Sequence, residues 1–145
     1  MKRLIRRNNN NGFTLAELLI VVAIIAVLVA VSIPVFTAQL NKAKYATDEA
    51  NARSIYAVLT ADYLGNGKQT YVVDSAEVVQ GTSKTIKVKN GETEVDSFQF
   101  NGMATITISP GSTENNKNAP YVVVGACAQN DGEIVFGTKP TSTNP

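Results

Sequence analysis

One acidic residue, Glu17, lies inside an otherwise apolar run near the amino terminus, and its carboxylate needs a chemical explanation. No other charged side chain occurs from Phe13 to Ile33. A carboxylate inside a membrane costs roughly 2.5–3.5 kcal/mol on insertion scales, and such residues are usually functional. The pattern predicts that Glu17 either has a specific partner or lies hydrated at the level of the lipid headgroups.

The side chains that most often carry catalysis and metal binding are scarce. The chain has no histidine and one cysteine, Cys127, which excludes histidine-based triads, the usual soft metal sites and an intrachain disulfide. A few carboxylates offer oxygen ligands of the kind calcium prefers, but without a dense ligand pattern we interpret them as solvated charges. These carboxylates are Glu92, Glu94, Asp96, Asp131 and Glu133. We expect no enzyme activity, no cofactor and no metal site, and we interpret Cys127 as a small core residue.

Positive charge is concentrated at the amino terminus. Residues 1–12 carry four of the thirteen Lys and Arg residues and no acid, which leaves nine basic against twelve acidic residues in the rest. The positive-inside rule places residues 1–12 in the cytoplasm and the remainder outside. An acidic body also argues against direct nucleic-acid binding, which needs Lys and Arg to displace counterions.

A long helix is predicted over residues 13–64, with a bend near Pro34. Residues 13–36 are apolar and, at ~1.5 Å per residue, long enough to cross a bilayer core of ~30 Å. Residues 37–64 are typical of an amphipathic helix with one narrow stripe of small residues, and Gly65-Asn66-Gly67 indicates where the helix ends. The side chains predicted to form the buried stripe are Leu40, Ala43, Thr47, Ala50, Ser54, Ile55, Val58 and Leu59.

In residues 65–145 apolar and polar side chains alternate with a period of two, which is typical of half-buried antiparallel strands. Asn90-Gly91 and Asn130-Asp131-Gly132 are turn signals, and the last two strands are predicted to form a hairpin. The expected fold class is α+β, with a long kinked amino-terminal helix packed on a small antiparallel sheet of about four strands. The predicted strands are Thr70–Val73, Thr85–Lys89, Ala104–Ser109, Tyr121–Ala128 and Glu133–Gly137.

The order of residues at the amino terminus resembles the class III signal of type IV prepilins and pseudopilins. The matching features are a short basic leader, Gly12 followed by Phe13, a Thr-Leu-x-Glu sequence ending at Glu17, a long apolar run and a proline. They cover residues 1 to about 40, and the remainder resembles the family only in architecture. The lone Cys127 departs from the pilins that close a carboxy-terminal loop with two cysteines.

The resemblance implies that a membrane aspartyl peptidase, the prepilin peptidase, removes residues 1–12 by cutting between Gly12 and Phe13. It also implies that the same enzyme N-methylates the new terminus at Phe13. A residue without Cβ suits a scissile backbone that lies extended in a narrow cleft. The family further supplies a partner for Glu17, the Phe13 amine of a neighbouring subunit. Because that amine exists only after cleavage, processing is predicted to gate the assembly of residues 13–36 into a filament core.

Pro34 is the predicted kink of the helix. Proline lacks an N–H and therefore frees the carbonyl of Ala30, with the hydroxyl of Ser32 nearby. Two interpretations stay open. One is an ordinary membrane-helix kink; the other is a bend, or a locally melted stretch, that lets helices pack in a fibre and lets the fibre extend.

The predicted function is that of a major pilin, a structural subunit of a type IV pilus for adhesion or twitching motility. Its partners would be further copies in a helical homopolymer, the prepilin peptidase and methyltransferase, the assembly platform and its ATPase, and the cytoplasmic membrane. The precursor would lie in that membrane with its amino terminus inside, and the mature chain in an extracellular filament. We expect no direct nucleic-acid partner.

Four other interpretations fit part of the sequence. A pseudopilin of a type II secretion or DNA-uptake system shares the same amino-terminal signal. A monomeric membrane-anchored binding module would retain residues 1–12. A secretory signal peptide ending near Ala30-Val31-Ser32 is disfavoured because the apolar run is too long for a typical signal sequence. A plain membrane anchor leaves the Gly-Phe-Thr-Leu-x-Glu order unexplained.

Overall fold

The computed structural model describes residues 12–66, 70–111 and 119–139. The basic leader before Gly12, Gly67 of the predicted helix end, most of the predicted loop at 110–120 and most of the tail at 138–145 lie outside the described residues. The chain divides into two compact units, Met1–Ala38 and Gln39–Pro145. Each is described by itself below, as the amino-terminal unit and the carboxy-terminal unit.

The amino-terminal unit contains the first part of helix α1 (Leu15–Asn66). The helix begins and ends two residues later than the sequence predicts. Every residue from 12 to 38 is exposed, so the apolar side chains of this unit have no core of their own. In the part of the chain that the structure describes, α1 is the one helix long and apolar enough, by length and composition, to cross a membrane.

The carboxy-terminal unit contains the rest of α1, and its buried face differs from the predicted stripe. Ile55 and Leu59 are buried as expected, and Val58 is half-buried. The other predicted stripe residues are exposed, namely Leu40, Ala43, Thr47, Ala50 and Ser54. The prediction was wrong because small residues at three- and four-residue spacing resemble a narrow core stripe. The buried face is instead formed by Tyr45, Asp48, Ala52, Ile55, Leu59 and Asp62.

Among the described residues of the carboxy-terminal unit, seven strands form two antiparallel sheets, rather than the predicted single sheet of about four strands. The strands are β1 (Tyr71–Val73), β2 (Glu77–Val78), β3 (Lys84–Asn90), β4 (Thr93–Phe100), β5 (Ile106–Ser109), β6 (Tyr121–Val124) and β7 (Ile134–Phe136). One sheet has the order β1-β3-β4 and the other the order β2-β5-β6-β7. The antiparallel pairing of β6 with β7 confirms the predicted last hairpin.

Strands β2 and β4 are absent from the prediction for physical reasons. β2 has two residues, too few to show a period. β4 is exposed from Thr93 to Ser97, and its pairing with β3 is irregular between Val88 and Lys89. A bulge of this kind breaks the alternation of inward and outward side chains on which strand prediction depends. The Asn90-Gly91 turn signal is confirmed, because it joins β3 to β4 with Gly91 at φ 60.

The core of this unit lies between α1 and the inner faces of the strands. Two helix residues and four strand residues at its centre are completely buried: Ile55, Leu59, Ile86, Phe100, Ile106 and Val122. On another side of the helix, the guanidinium carbon of Arg53 lies 5.4 Å from the ring centroid of Phe136. Gly137 has φ 88, and a Cβ there would lie 2.7 Å from the Pro120 carbonyl oxygen and 2.9 Å from Tyr56. Glycine is therefore required where β7 ends against the helix.

Two buried carboxylates join α1 to the segments around the sheets. Asp48 Oδ1 accepts hydrogen bonds from the Asn101 backbone N–H at 2.6 Å and the Asn101 side-chain amide at 2.9 Å. Asp48 Oδ2 accepts one from the Met103 N–H at 3.0 Å. One carboxylate thus satisfies three donors in the segment that follows β4. Burying a charged group requires this kind of full hydrogen bonding.

Asp62, four turns further along α1, ties the helix to the start of β1. Its Oδ2 accepts hydrogen bonds from the N–H groups of Thr70 at 2.6 Å and Tyr71 at 2.8 Å. Its Oδ1 accepts one from the Asn66 amide at 2.7 Å and one from the Thr70 hydroxyl. Burial alone raises the pKa of the Asp62 carboxyl, but the hydrogen bonds from Thr70, Tyr71 and Asn66 outweigh it. The pKa therefore lies below its ordinary value.

Candidate functional site

The junction predicted to be cut, Gly12–Phe13, lies in a non-helical segment directly before α1. The Phe13 side chain is 86% exposed. A Cβ built on Gly12 meets no described atom within 4 Å, and Gly12 does not have the positive φ that favours glycine. Neither packing nor backbone conformation within the described chain therefore explains a glycine at this position. Its lack of a side chain fits a requirement imposed from outside the chain, such as a narrow binding cleft.

Thr14 and Glu17 form a capping box at the start of α1. The Thr14 N–H donates to Glu17 Oε2 at 2.9 Å, and the Thr14 hydroxyl donates to the same oxygen at 2.8 Å. In return, the Glu17 N–H donates to Thr14 Oγ1 at 3.2 Å. A reciprocal arrangement of this kind satisfies backbone N–H groups that have no partner inside the helix. It also places a negative charge at the positive end of the helix dipole.

The capping box gives Glu17 a partner within its own chain, which the sequence reasoning missed. The signal was present, because Thr followed three residues later by Glu before an apolar run is the sequence pattern of a capping box. The sequence reasoning used the same residues only as part of a family motif. Glu17 is thus satisfied in part by Thr14, and this partner does not depend on cleavage at Gly12.

Helix α1 continues without interruption through Pro34. The Ser32 hydroxyl, expected near the freed Ala30 carbonyl, donates instead to the carbonyl of Leu28 at 2.6 Å. Thr37 makes the equivalent bond to the carbonyl of Ile33 at 2.9 Å. At ~1.5 Å per residue, Pro34 lies about 25 Å along the helix from Glu17. Gly12, Phe13 and Glu17 therefore lie in one short segment at the start of α1, and Pro34 lies apart from them.

Comparison with known proteins identifies the segment that holds this junction. A family model described as the prokaryotic N-terminal methylation motif matches residues 7–33. The match includes the junction, the capping box and most of the apolar run, and it confirms the recognition made from the sequence.

Two curated relatives carry pilus names. The chain is 35% identical over 86 residues to a fimbrial protein of Neisseria meningitidis serogroup B, covering 55% of this chain and 51% of that protein. It is 46% identical over 57 residues to the type IV narrow pilus major component PilA5 of Thermus thermophilus, covering 37% of this chain and 49% of that protein. The chain thus matches about half the length of these relatives. No solved structure matches the chain.

The remaining candidate residues lie away from this motif. Cys127 is half-buried, packs against the core and forms an isolated bridge with Asn130. Glu94 forms an ion pair with Lys87, with 2.6 Å between Oε2 and Nζ. The hydrogen bond and charge of Glu94, together with the charge of Asp74, raise the pKa of Lys87. The described residues contain no cluster of three or more His, Cys, Asp or Glu side chains arranged to hold a metal ion.

Proposed function

We propose that this chain is the precursor of a major pilin, a structural subunit that polymerises into a type IV pilus for adhesion or motility. The main support is the exposure of every residue from 12 to 38 in a segment that is nearly all apolar. Such a surface is stable only in a membrane or against other apolar helices. The methylation motif covers this segment, and both relatives named above are pilus proteins.

Each part of the chain has its own role in this function. Residues 1–12 are a leader that the prepilin peptidase removes. Residues 13–36 cross the cytoplasmic membrane and later pack in the filament core. Residues 37–64 are the part of the helix that carries the globular domain, and residues 65–145 complete that domain with its sheets. Processing happens on the cytoplasmic side, after which the assembly platform and its ATPase move the subunit into the fibre.

Cleavage between Gly12 and Phe13 gives the junction its proposed function. The open surroundings of Gly12 and the exposed, non-helical backbone at Phe13 suit a substrate segment that must enter a peptidase cleft. Cutting removes four cations and creates an amine at Phe13, which becomes the N-methylated terminus. The amine of one subunit then pairs with Glu17 of its neighbour and fixes the stagger between their helices.

Pro34 is proposed to let the helix adapt inside the filament. Proline leaves the Ala30 carbonyl without an intrahelical N–H donor, and the Ser32 hydroxyl is engaged with Leu28. The helix is therefore weakest at this point. A bend or local melting there would let neighbouring helices pack and would let the fibre extend.

A pseudopilin of a type II secretion or DNA-uptake system is the second candidate. Its support is the location of the matched motif, which covers residues 7–33, the part of the chain that resembles the signal of prepilins and pseudopilins alike. The acidic body of this chain gives no reason to expect contact with DNA. The length and location of the fibre separate these candidates from a major pilin.

Intact mass and imaging of the same cells test the proposal. Mass spectrometry of the mature chain is expected to give a polypeptide that starts at Phe13 and carries one added methyl group. Electron microscopy is expected to show long surface fibres that disappear when this gene is deleted. A chain that still starts at Met1 in the membrane would contradict processing and favour the anchored binding module. Short fibres confined to the cell envelope would favour a pseudopilin.

A further inference from the structure

Thr14 has no role in the cleavage or the charge pairing proposed above, yet it determines how Glu17 is held. Its amide and its hydroxyl both donate to Oε2 of Glu17, at 2.9 and 2.8 Å. The return bond from the Glu17 N–H fixes the Thr14 side chain at the helix start. Two of these three hydrogen bonds hold the Glu17 carboxylate, and both end on the same oxygen.

These bonds leave the two carboxylate oxygens in different states. Among the residues that the structure describes, donors reach Oε2 twice and do not reach Oε1. A carboxylate oxygen removed from water needs a donor, and a charged donor such as an ammonium group satisfies it best. Oε1 is therefore the oxygen available to a partner that arrives as the helices pack together.

The capping box exists on both sides of the proposed processing step. Its donors are the amide and hydroxyl of Thr14, and the bond that is cut lies one residue earlier, between Gly12 and Phe13. The box can therefore form in the precursor and persist in the mature chain. Holding a side chain in its bound arrangement before the partner arrives reduces the entropy lost on pairing.

We propose that Thr14 is a positioning residue for filament assembly. Its amide and hydroxyl occupy Oε2 of Glu17 and thereby direct Oε1 toward the ammonium group of a second copy of this chain. This inference rests on the Glu17 pairing proposed above. Thr14 acts through Glu17 and does not itself contact the incoming subunit.

Competition for incorporation into wild-type filaments tests the role of Thr14. Full-length variants are expressed together with the wild-type chain, and quantitative mass spectrometry compares their share in sheared filaments with their share of the processed membrane pool. Thr14→Val keeps the side-chain shape without the hydroxyl and is expected to be about tenfold under-represented in filaments, which corresponds to about 1.4 kcal/mol of lost pairing free energy. Thr14→Ser keeps the hydroxyl and is expected to incorporate like the wild type.

Thr37→Val is the matched control, because it makes the same side-chain change in the same unit. It removes a hydrogen bond to the carbonyl of Ile33 that is internal to the helix, and it is expected to incorporate in proportion to its pool. Equal exclusion of the Thr37 and Thr14 valine variants would overturn the positioning role, since any lost hydroxyl would then have the same effect.

Glu17→Ala separates failure of this inference from failure of the pairing on which it rests. If Glu17→Ala is excluded while Thr14→Val incorporates normally, the pairing stands and the positioning role is wrong. If Glu17→Ala itself incorporates normally, the pairing and the positioning role both fail. Exclusion of Thr14→Ser to the same degree as Thr14→Val would also contradict the inference, because the hydroxyl would then not be the group that matters.

Discussion

Glu17 of the amino-terminal unit and Asp48 of the carboxy-terminal unit are held in opposite ways. In the amino-terminal unit, Glu17 is exposed and is held by Thr14, three residues away. In the carboxy-terminal unit, Asp48 is completely buried and binds Asn101 and Met103, 53 and 55 residues further along. Thr14 bonds one oxygen of Glu17, Oε2. Asp48, in contrast, accepts hydrogen bonds on both oxygens from residues distant in sequence. Glu17 is therefore the carboxylate suited to a partner outside the chain, because the fold of the chain does not bond both of its oxygens.

The same contrast holds for apolar side chains. The carboxy-terminal unit buries a cluster of apolar side chains contributed by α1 and by the strands of both sheets. The amino-terminal unit buries none of its described residues. The carboxy-terminal unit is therefore stabilised by its own core, whereas the amino-terminal unit, under the proposed function, is covered by a membrane or by further copies of the chain. Substitutions in the core of the carboxy-terminal unit should change its stability, and substitutions in the amino-terminal unit should change assembly.

Asp48→Ala is expected to give the largest loss of stability. It removes the carboxylate that accepts hydrogen bonds from the N–H groups of Asn101 and Met103. Each buried donor left without an acceptor costs about 1–3 kcal/mol of stability. We expect a loss of about 4 kcal/mol in the free energy of unfolding, measured by urea denaturation of the full chain in detergent. Lys139→Ala, which removes an exposed ion pair with Glu133, is the surface control. Equal stability of the two variants would show that Asp48 is not a structural carboxylate.

Leu59→Ala paired with Leu40→Ala tests which face of α1 is buried. Leu59 is completely buried, whereas Leu40 is 43% exposed. Truncating a buried leucine typically costs 2–5 kcal/mol, and an exposed one about 0.5 kcal/mol or less. We expect a loss of about 3 kcal/mol for Leu59→Ala and little change for Leu40→Ala in the same denaturation assay. The reverse order would restore the stripe predicted from the sequence.

Asp62→Asn is expected to have a smaller effect that depends on pH. Because the pKa of Asp62 is lower in the folded state than its ordinary value, the unfolded state binds more protons over the pH range between the two values. The stabilisation is complete above the unfolded pKa, which is about 3.9, and is lost as the pH falls through the folded pKa. We expect the free energy of unfolding of the wild type to exceed that of the variant by about 1 kcal/mol at neutral pH.

The measurement is urea denaturation of both proteins at several pH values. The difference in the free energy of unfolding between the wild type and the variant should shrink below about pH 4. A difference that stays constant down to the lowest pH would show that the Asp62 carboxyl does not titrate with a lowered pKa. A difference that grows as the pH falls would have the wrong sign and would contradict the hydrogen-bonded carboxylate.

Sequence reasoning succeeded where the signals are local. The order from Gly12 to Glu17, the apolar run and the turn at Asn90-Gly91 each depend on residues close together in the chain, and each was recognised. The capping box was also readable from Thr14 and Glu17, but the motif was interpreted only as a family signal. The long helix was predicted to within two residues at each end.

Sequence reasoning failed where distant residues decide the outcome. Asp48 and Asp62 look like surface residues, because their hydrogen-bond partners come from segments that only the fold brings near. Their polarity also concealed the buried face of α1, so the stripe was assigned to the small residues on the exposed side. β4 was missed because most of its side chains are exposed and a bulge interrupts its period.

Glu17→Ala, examined for both assembly and stability, tests the separation of the two units most directly. Surface fibres would be counted by electron microscopy in cells that express only the variant, and urea denaturation would measure the stability of the carboxy-terminal unit. We predict that fibres disappear while the urea midpoint stays within experimental error of the wild type. Normal fibres would contradict the assembly role of Glu17, and a lower urea midpoint would contradict the independence of the two units.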